Sequence, residues 1–573
     1  MSMGYVEKAG IVLGNSQGGF AWLCHASESR YNGVFFRLGG KVFKTIADFS
    51  LGLPLRSVTN HLWGVRRDYD GVSQRLVMPR GTNSLIVEFS SPAKMDLLLD
   101  CKLIDDNREW GRYYEVKKEK DCIVVSYRKK NDSRDNSDDK SEYAVYLAIA
   151  GRSDFSLMQN WVEQKYTYDE SRNSPPYSRW VFNAGSLTGQ KFVVSAALSK
   201  AKAVSEAKKV LKSCSAFISR QAGCVAKSCK VKAPMPKRIS LAYQCACSAL
   251  DSLCVGDSGL YAGIPWFYQF WVRDEAVSAY ALRIVGKKDL AKNILKRHLS
   301  SFSKKQLPLA YGAHSLRTAD GPGWVALRYF QNADLFSKPE QKKCLVYLKN
   351  AFGVIKKSLN NGLVVNGPLE TWMDTAVGTD TREGARIEIQ ALALSLAKGL
   401  GETEFCQTLE QRVRETFWNG SYLYDGLNDA TIRPNVFIAA YAYPELLSRE
   451  QWEKCFDTVL PKLWLPWGGL SSIDTSSELF TDHYTGQDNV SYHRGDSWFW
   501  LNNLAALVLY RTNAAKYKHF IEKIVEASSH EILELGAIGH HAELSSARAL
   551  SSNGCVSQAW SSAMFIELCS ELF

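Results

Sequence analysis

From residue 239 to the C-terminus, a run of 335 residues, apolar side chains recur at spacings of three and four in one segment after another. KKDLAKNILKRHLSSF, RIEIQALALSLAKGL, REQWEKCFDTVLPKLW and SWFWLNNLAALVLYR are four of them. At about 25–30 residues for a helix and its connection, the run holds roughly twelve helices. Each such helix has an apolar face to bury, and few arrangements bury twelve of them in succession. A toroid of six helical hairpins fits this count. A helical solenoid fits it nearly as well, although no sequence period marks its repeats.

The 573-residue chain exceeds what one hydrophobic core usually spans, so more than one domain is expected. Residues 1–195 have a different texture from the helical run. YNGVFFRL, SLIVEF, DCIVVSYRK and YAVYLAIA are short runs of Val, Ile, Phe and Tyr, separated by turn formers such as RGTNS. Short strands at this spacing favour a β-sandwich over a βαβ sheet. The polar KKNDSRDNSDDKSE reads as a mobile surface loop. No glycine-rich phosphate loop follows a strand, which argues against nucleotide binding. The expected organisation is a sandwich over 1–195, a connector over 196–238 and a helical domain over 239–573.

The net charge of +11 suggests a polyanion partner until it is mapped. Lys200 to Arg238 holds eleven basic residues against one acidic residue, Glu206, a local +10 that leaves about +1 for the rest of the chain. This tract has no interleaved aromatic platform, so it reads as a solvated, partly helical linker and not as a nucleic-acid interface. The 14 cysteines are mostly scattered. Cys245 and Cys247, with Cys224 and Cys229 upstream, lack the paired CxxC units and nearby histidines of a zinc site, and read as reduced thiols in core positions. The N-terminal stretch has no signal-peptide pattern and no apolar run reaches transmembrane length, which points to a cytoplasmic protein.

Between the helical segments lie connections rich in Trp, Tyr, Asp and Glu: LYAGIPWFYQFWVRD, RTADGPGW, GPLETWMDTAVGTD, RPN, DHYTGQDNVSYHRGDSWFW and HHAELSS. Loops on a rigid scaffold are a common location for a site. Aromatic faces can cover the apolar faces of sugar rings, and Asp, Arg and Asn can bond to hydroxyls.

Several of these motifs, in this order, resemble the C-terminal glucosidase domain of glycogen debranching enzymes. They are Trp266, Trp271, Arg273 and Asp274, then TWMD at 371–374, RIEIQAL at 386–392, RPN at 433–435, YHRGDSWFW at 492–500 and GCVSQAW at 554–560. GNSQGGFAWLCHASESRYNG at 14–33 is similar to the opening of the β-sandwich domain of short archaeal and bacterial members. The resemblance implies a β-supersandwich followed by an (α/α)6 toroid, and inverting hydrolysis of α-1,6-linked glucose at branch points. It implies glycogen, limit dextrin or branched maltodextrin as partner, by a mechanism that needs no metal or cofactor; the charge map and hydropathy give no reason to expect a nucleic-acid or membrane partner. The general acid falls on Asp374 and the general base on Glu543, while Trp271, Arg273 and Asp274 hold the terminal sugar. The family's glycine in the WGRD motif is Val272 here, a strained choice if that position needs positive φ.

Hydrolysing a glycosidic bond takes one protonated and one ionised carboxyl group. Trp372 and Met373 beside Asp374 are expected to reduce its hydration and raise its pKa. Glu370 is the rival acid and otherwise a hydroxyl ligand. His540 and His541 are either solvated loop residues or groups that orient the base or touch sugar. Asp320, Trp324, Glu370, Trp372, Gln390, Arg433, Asn435, His493, Arg494, Asp496 and Trp498 are further candidates to line a sugar pocket. An exo-acting α-glucosidase of glucoamylase or trehalase type shares the same two-carboxylate logic. A non-catalytic glycan-binding protein would keep the aromatic loops and lose one carboxylate.

Overall fold

The computed structural model describes residues 10–24, 28–231, 234–304, 308–310 and 313–573. The start of the chain, two residues of the basic tract (232 and 233) and residues 25–27 of the 14–33 motif lie outside these. The chain divides into two compact units. One holds Met1–Lys230 with the short later segments Asp251–Gly256 and Leu533–Gly539; the other holds the remainder.

The first unit is antiparallel β-structure, with thirteen strands in one hydrogen-bonded sheet among the described residues. They are β1 (Ile11–Gly14), β2 (Phe20–Leu23), β3 (Gly33–Leu38), β4 (Lys41–Ser50), β5 (Leu55–Asn60), β6 (Val65–Tyr69) and β7 (Val72–Val77). Then follow β8 (Ser84–Leu103), β9 (Arg112–Lys118), β10 (Cys122–Lys129), β11 (Tyr143–Ala150), β12 (Ser153–Lys165) and β13 (Ser178–Ala197). The main path runs β1-β2-β3-β4-β8-β13-β11-β10-β9. The two 20-residue strands change partner along their length. β8 pairs β7 through Ile86–Phe89 and β4 through Asp96–Leu103; β13 pairs β12 before its bulge at Gly189/Lys191 and β11 after it. Such changes of partner let one ladder fold over into sandwich layers. Val87, Leu99, Val125, Leu147 and Phe182 from four strands meet in one buried core.

Two sequence expectations for this unit need correction. The basic tract is not a solvated linker. After the short helix α1 (Thr167–Ser171), it forms α2 (Lys200–Lys212) and α3 (Cys214–Ser228). Ala203, Ala207 and Val210, at helical spacing, and Cys214 beyond them pack on Val124, Ala148, Val193 and Ile86 of the sheet. A stripe of small residues was hidden by the lysines that alternate with it. The polar loop after β10 is also tied down. Asp135 accepts backbone N–H groups from Glu109 (2.8 Å) and Trp110 (3.1 Å), and Arg108 donates to the carbonyls of Asp139 and Ser141, each at 2.8 Å.

Among the described residues, twelve helices lie wholly or mostly in the second unit: α4 (Lys237–Ser252), α5 (Val272–Ile284), α6 (Lys288–Ser301), α7 (Gly321–Gln331), α8 (Lys338–Lys357) and α9 (Ile387–Leu400). They continue with α10 (Thr403–Phe417), α11 (Asn435–Ala442), α12 (Arg449–Leu463), α13 (Phe499–Asn513), α14 (Lys518–Glu534) and α15 (Ala559–Leu572). The odd-numbered helices α5, α7, α9, α11, α13 and α15 each pack on the next, and α15 packs back on α5. That closure makes the array an (α/α)6 toroid; a solenoid would leave its first and last helices apart. Residue burial follows the two-ring plan. Ile387–Ala397 of α9 and Phe499–Leu509 of α13 are buried throughout, as an inner ring requires. Outer α10 buries only Cys406, Leu409, Val413 and Phe417, one stripe down one side. No described helix is long and apolar enough to cross a membrane.

Candidate active site

The connections that lead into the inner helices carry the acidic and aromatic residues, and each inner helix presents its N-terminal end to them. At such an end free backbone N–H groups and the helix dipole favour negative charge. The GPLETWMDTAVGTD stretch is the best example. Its Thr371–Met373 segment is buried and held from three directions. Arg273 donates to the Thr371 carbonyl (2.9 Å), Arg382 to the Thr371 hydroxyl (2.8 Å), and the Trp372 indole N–H to Asn435 Oδ1 (2.7 Å). The Trp372 ring meets those of His493, Trp498 and Trp500 edge-on, with centroids 5.2–5.5 Å apart. The buried aromatic therefore serves as a peg that holds Asp374 out, its side chain 27% exposed beside neighbours that are almost wholly buried.

Asp374 Oδ1 lies 3.5 Å from His493 Nε2 and Oδ2 lies 3.4 Å from Arg273 Nη1. Burial pushes its pKa up, but the His493 hydrogen bond and the Arg273 charge outweigh it and hold the carboxyl below its ordinary value. The expected rise is thus reversed, because Trp372 points into the core and two nitrogen groups face Asp374 instead. His493 itself is neutral: burial lowers its pKa to about 4, so its Nε2–H donates to the carboxylate.

Glu543 directly precedes a small ladder in which Leu544–Ser545 pairs with Ser497–Trp498. Its backbone N–H donates to the Cys555 carbonyl (2.9 Å), and its Oε2 accepts the Cys555 backbone N–H (2.8 Å). Its Oε1 accepts the Tyr492 hydroxyl. Gly554 permits this closeness. It has φ +70°, and a Cβ there would lie 2.9 Å from Glu543 Cβ and 3.0 Å from Cδ, nearer still to Oε2. Tyr492 and His493 are chain neighbours, about 3.8 Å apart at Cα. One bonds Glu543 and the other Asp374, so two carboxylates distant in sequence converge on one dipeptide.

Arg273 and Asp274 begin α5. Arg273 Nε pairs with Asp320 Oδ2 at 2.8 Å, and Asp320 Oδ1 accepts the Thr318 hydroxyl. Val272 lies in the first helical turn after Trp271 (φ −83°), so no positive φ is imposed on it. Asp274 Oδ1 accepts Gln558 Nε2 at 3.0 Å; burial, with the Glu543 charge adding to it, raises its pKa to about 7. Asp496 is likewise pushed well above the carboxylate range by burial and Glu543, although the Ser491 hydroxyl donates to it at 2.7 Å. Trp266 and Trp271 are half-buried, with ring surface left over.

Other candidates stand behind the site. Arg433 and Arg494 both bond Asp380 Oδ2 (2.9 and 2.8 Å), and Arg494 also holds the Thr375 carbonyl (2.9 Å), so they fasten the strap after Asp374. Asn435 is used up by Trp372 and Asp425. Gln390 bonds the Val364 N–H (2.9 Å) and carbonyl (2.7 Å), so its amide is spent on the backbone. Trp324 is 1% exposed against Tyr441 and Trp500, and Trp498 is stacked on His493 at 5.1 Å. These side chains offer buried faces, not the open ring surface a sugar needs. Glu370 is set apart: its Oε2 accepts the Gly367 N–H (2.8 Å), and it lines an apolar cavity of about 310 Å³ with Phe302, Val354 and Ile389. His540 and His541 are not solvated. His541 Nδ1 bonds Glu531 (2.6 Å) and His540 Nδ1 bonds Ser557 (2.8 Å), which fastens the Glu543 loop.

Tyr492, Gln558 and Asp380 were not singled out from sequence. Each lies inside a motif that was, YHRGD, GCVSQAW and the GTD after TWMD, but their partners are remote in the chain and no local spacing reveals them.

Comparison with known proteins places these observations. The family model described as amylo-alpha-1,6-glucosidase matches residues 254–567, more than half of the chain. A crystal structure of a bacterial glucoamylase complexed with acarbose superposes with a TM-score of 0.61 at 13% identity, covering 100% of this chain and 95% of that one; at this identity the likeness is one of fold. A glycosidase variant superposes with a TM-score of 0.45 at 13% identity over 59% of this chain and 99% of its own, too loosely to carry weight. No curated protein matches the chain.

Proposed function

Given that this chain belongs to the amylo-alpha-1,6-glucosidase family and is a glycoside hydrolase acting on α-glucan linkages, we propose that it removes single α-1,6-linked glucose units from branch points of glycogen, limit dextrin or branched maltodextrin. The observation that carries this reading is the convergence of Asp374 and Glu543 on His493 and Tyr492. Glu543, held at both oxygens, takes a proton from water as it attacks the anomeric carbon. Asp374 protonates the departing oxygen from the other side, and the product sugar has inverted configuration. Arg273, with Asp274 and the half-buried Trp271, receives the terminal glucose.

Asp374 rests below its ordinary pKa, yet both contacts that keep it there are long, at 3.4 and 3.5 Å. A sugar seated over its exposed edge strips the remaining water, and loss of hydration raises a carboxyl pKa. Contacts of this kind commonly readjust in the substrate complex. A second reading has one observation behind it. Asp274 keeps its proton up to about pH 7 and lies near Glu543, so it is the alternative acid.

The test is proton NMR of sugar released from a maltodextrin carrying single α-1,6-glucose stubs. First appearance of β-glucose, abolished in Asp374→Asn and Glu543→Gln and retained in Glu370→Gln, supports the reading. Hydrolysis that survives in Asp374→Asn passes the acid role to Asp274. Release only from linear α-1,4 chains or trehalose defeats the linkage assignment.

A further inference from the structure

Resting on the reading of Glu543 as the base, we propose that Tyr492 is the positioning residue that sets both the orientation and the ionisation of that base. The hydroxyl donates to Glu543 Oε1 while the Cys555 N–H donates to Oε2, so one bond comes from a side chain and one from the backbone. A carboxylate gripped at both oxygens is restrained in rotation about its terminal torsion, a torsion that is otherwise broad. The grip is in turn fixed. The Trp498 indole N–H donates to the Tyr492 carbonyl (2.7 Å), and the Tyr492 ring packs on His493 (4.8 Å) and Trp498 (4.7 Å). Tyr492 is thereby built into the same aromatic block that pegs Asp374, and the spacing of acid and base is set by one rigid piece of the fold.

The hydrogen bond also has a titration consequence. It stabilises the ionised form of Glu543, whose charge also reaches Asp274 at the start of α5 and Asp496 in Tyr492's own loop and raises the pKa of both, while Asp374 borders Tyr492. Arg273, beside Asp274 at the start of α5, faces Asp374, and the Cys555 thiol borders Tyr492. The phenol keeps its proton throughout the working range, because burial and the Glu543 charge push its pKa well above 10. It is a permanent donor, which a histidine in its place would not be.

The test is the pH profile of kcat/KM for Tyr492→Phe on the α-1,6-glucosyl maltodextrin. A hydrogen bond to a charged group corresponds to about one to two pH units, so the acidic limb moves up by that amount. With the base less well aimed, kcat falls about 10- to 100-fold while KM stays within about threefold. Asp274→Asn and Asp496→Asn identify which limb belongs to Glu543. Should Tyr492→Phe fail to fold, 3-fluorotyrosine at this position keeps the ring, and its more acidic phenol moves the limb down. An unmoved limb with near-normal kcat, alongside an inactive Glu543→Gln, overturns the role of Tyr492 alone. Continued hydrolysis by Glu543→Gln overturns the base assignment itself.

Discussion

Replacing Gly554 by alanine tests whether the close backbone behind Glu543 is what aims it. The substitution acts twice. At φ +70° an L-side chain costs about 1–2 kcal/mol. The added Cβ would also stand 2.9 Å from Glu543 Cβ and 3.0 Å from Cδ, closer than carbon atoms approach, so the glutamate must move. Moving it breaks the 2.8 Å bond from the Cys555 N–H, a hydrogen bond to a charged group worth about 1.5–3 kcal/mol. The sum is a stability loss of about 2.5–5 kcal/mol, and a displacement near 1 Å lowers kcat about 100-fold. Gly401 supplies the control. It ends α9 at φ +76° with no atom within 4 Å of an added Cβ, so Gly401→Ala carries the backbone term alone. Thermal unfolding and kcat on the branched maltodextrin are measured for both. Full activity in Gly554→Ala, or equal activity loss in the two variants, would refute the reasoning.

Asp274, with a folded pKa raised to about 7 from 3.8, takes up a proton on folding between those values, so stability declines as pH rises through that window by up to about 4 kcal/mol. Asp274→Asn removes this term, and its unfolding midpoint should fall less between pH 4.5 and 7.5 than that of the wild type. Trp372→Phe leaves Asn435 Oδ1 buried without the indole donor at 2.7 Å, for a loss of about 1–3 kcal/mol. The loosened peg should lower kcat about tenfold or more, read in the same assay. Ala207→Asp buries a charge where α2 meets the sheet and should cost about 3 kcal/mol or more, while Lys209→Asp on the exposed side stays within about 0.5 kcal/mol. Equal melting temperatures for these two would restore the view of 200–212 as a solvated linker.

The periodicity of the chain determined the order of its units and the kind of structure in each. Strand runs such as DCIVVSYRK became β10, and the three-four spacing of the second half became twelve helices among the described residues, because each pattern states which side chains need burial. The motif residues also identified the loops that gather at the inner helices. Local sequence carries no record of long-range closure. That α15 returns to α5, or that β8 and β13 change partners midway, depends on contacts between segments far apart in the chain. The same holds inside the site. Trp372 and Trp324 read as sugar platforms, yet the folded chain uses them as buried pegs, and Arg433 and Arg494 read as ligands, yet both are spent on Asp380. Asp374 has the neighbours of a raised pKa in sequence, but its ionisation is decided by His493 and Arg273, which only tertiary structure brings within 3.5 Å. A residue's type fixes what it can do, and the partners that fold against it fix which of those things it does.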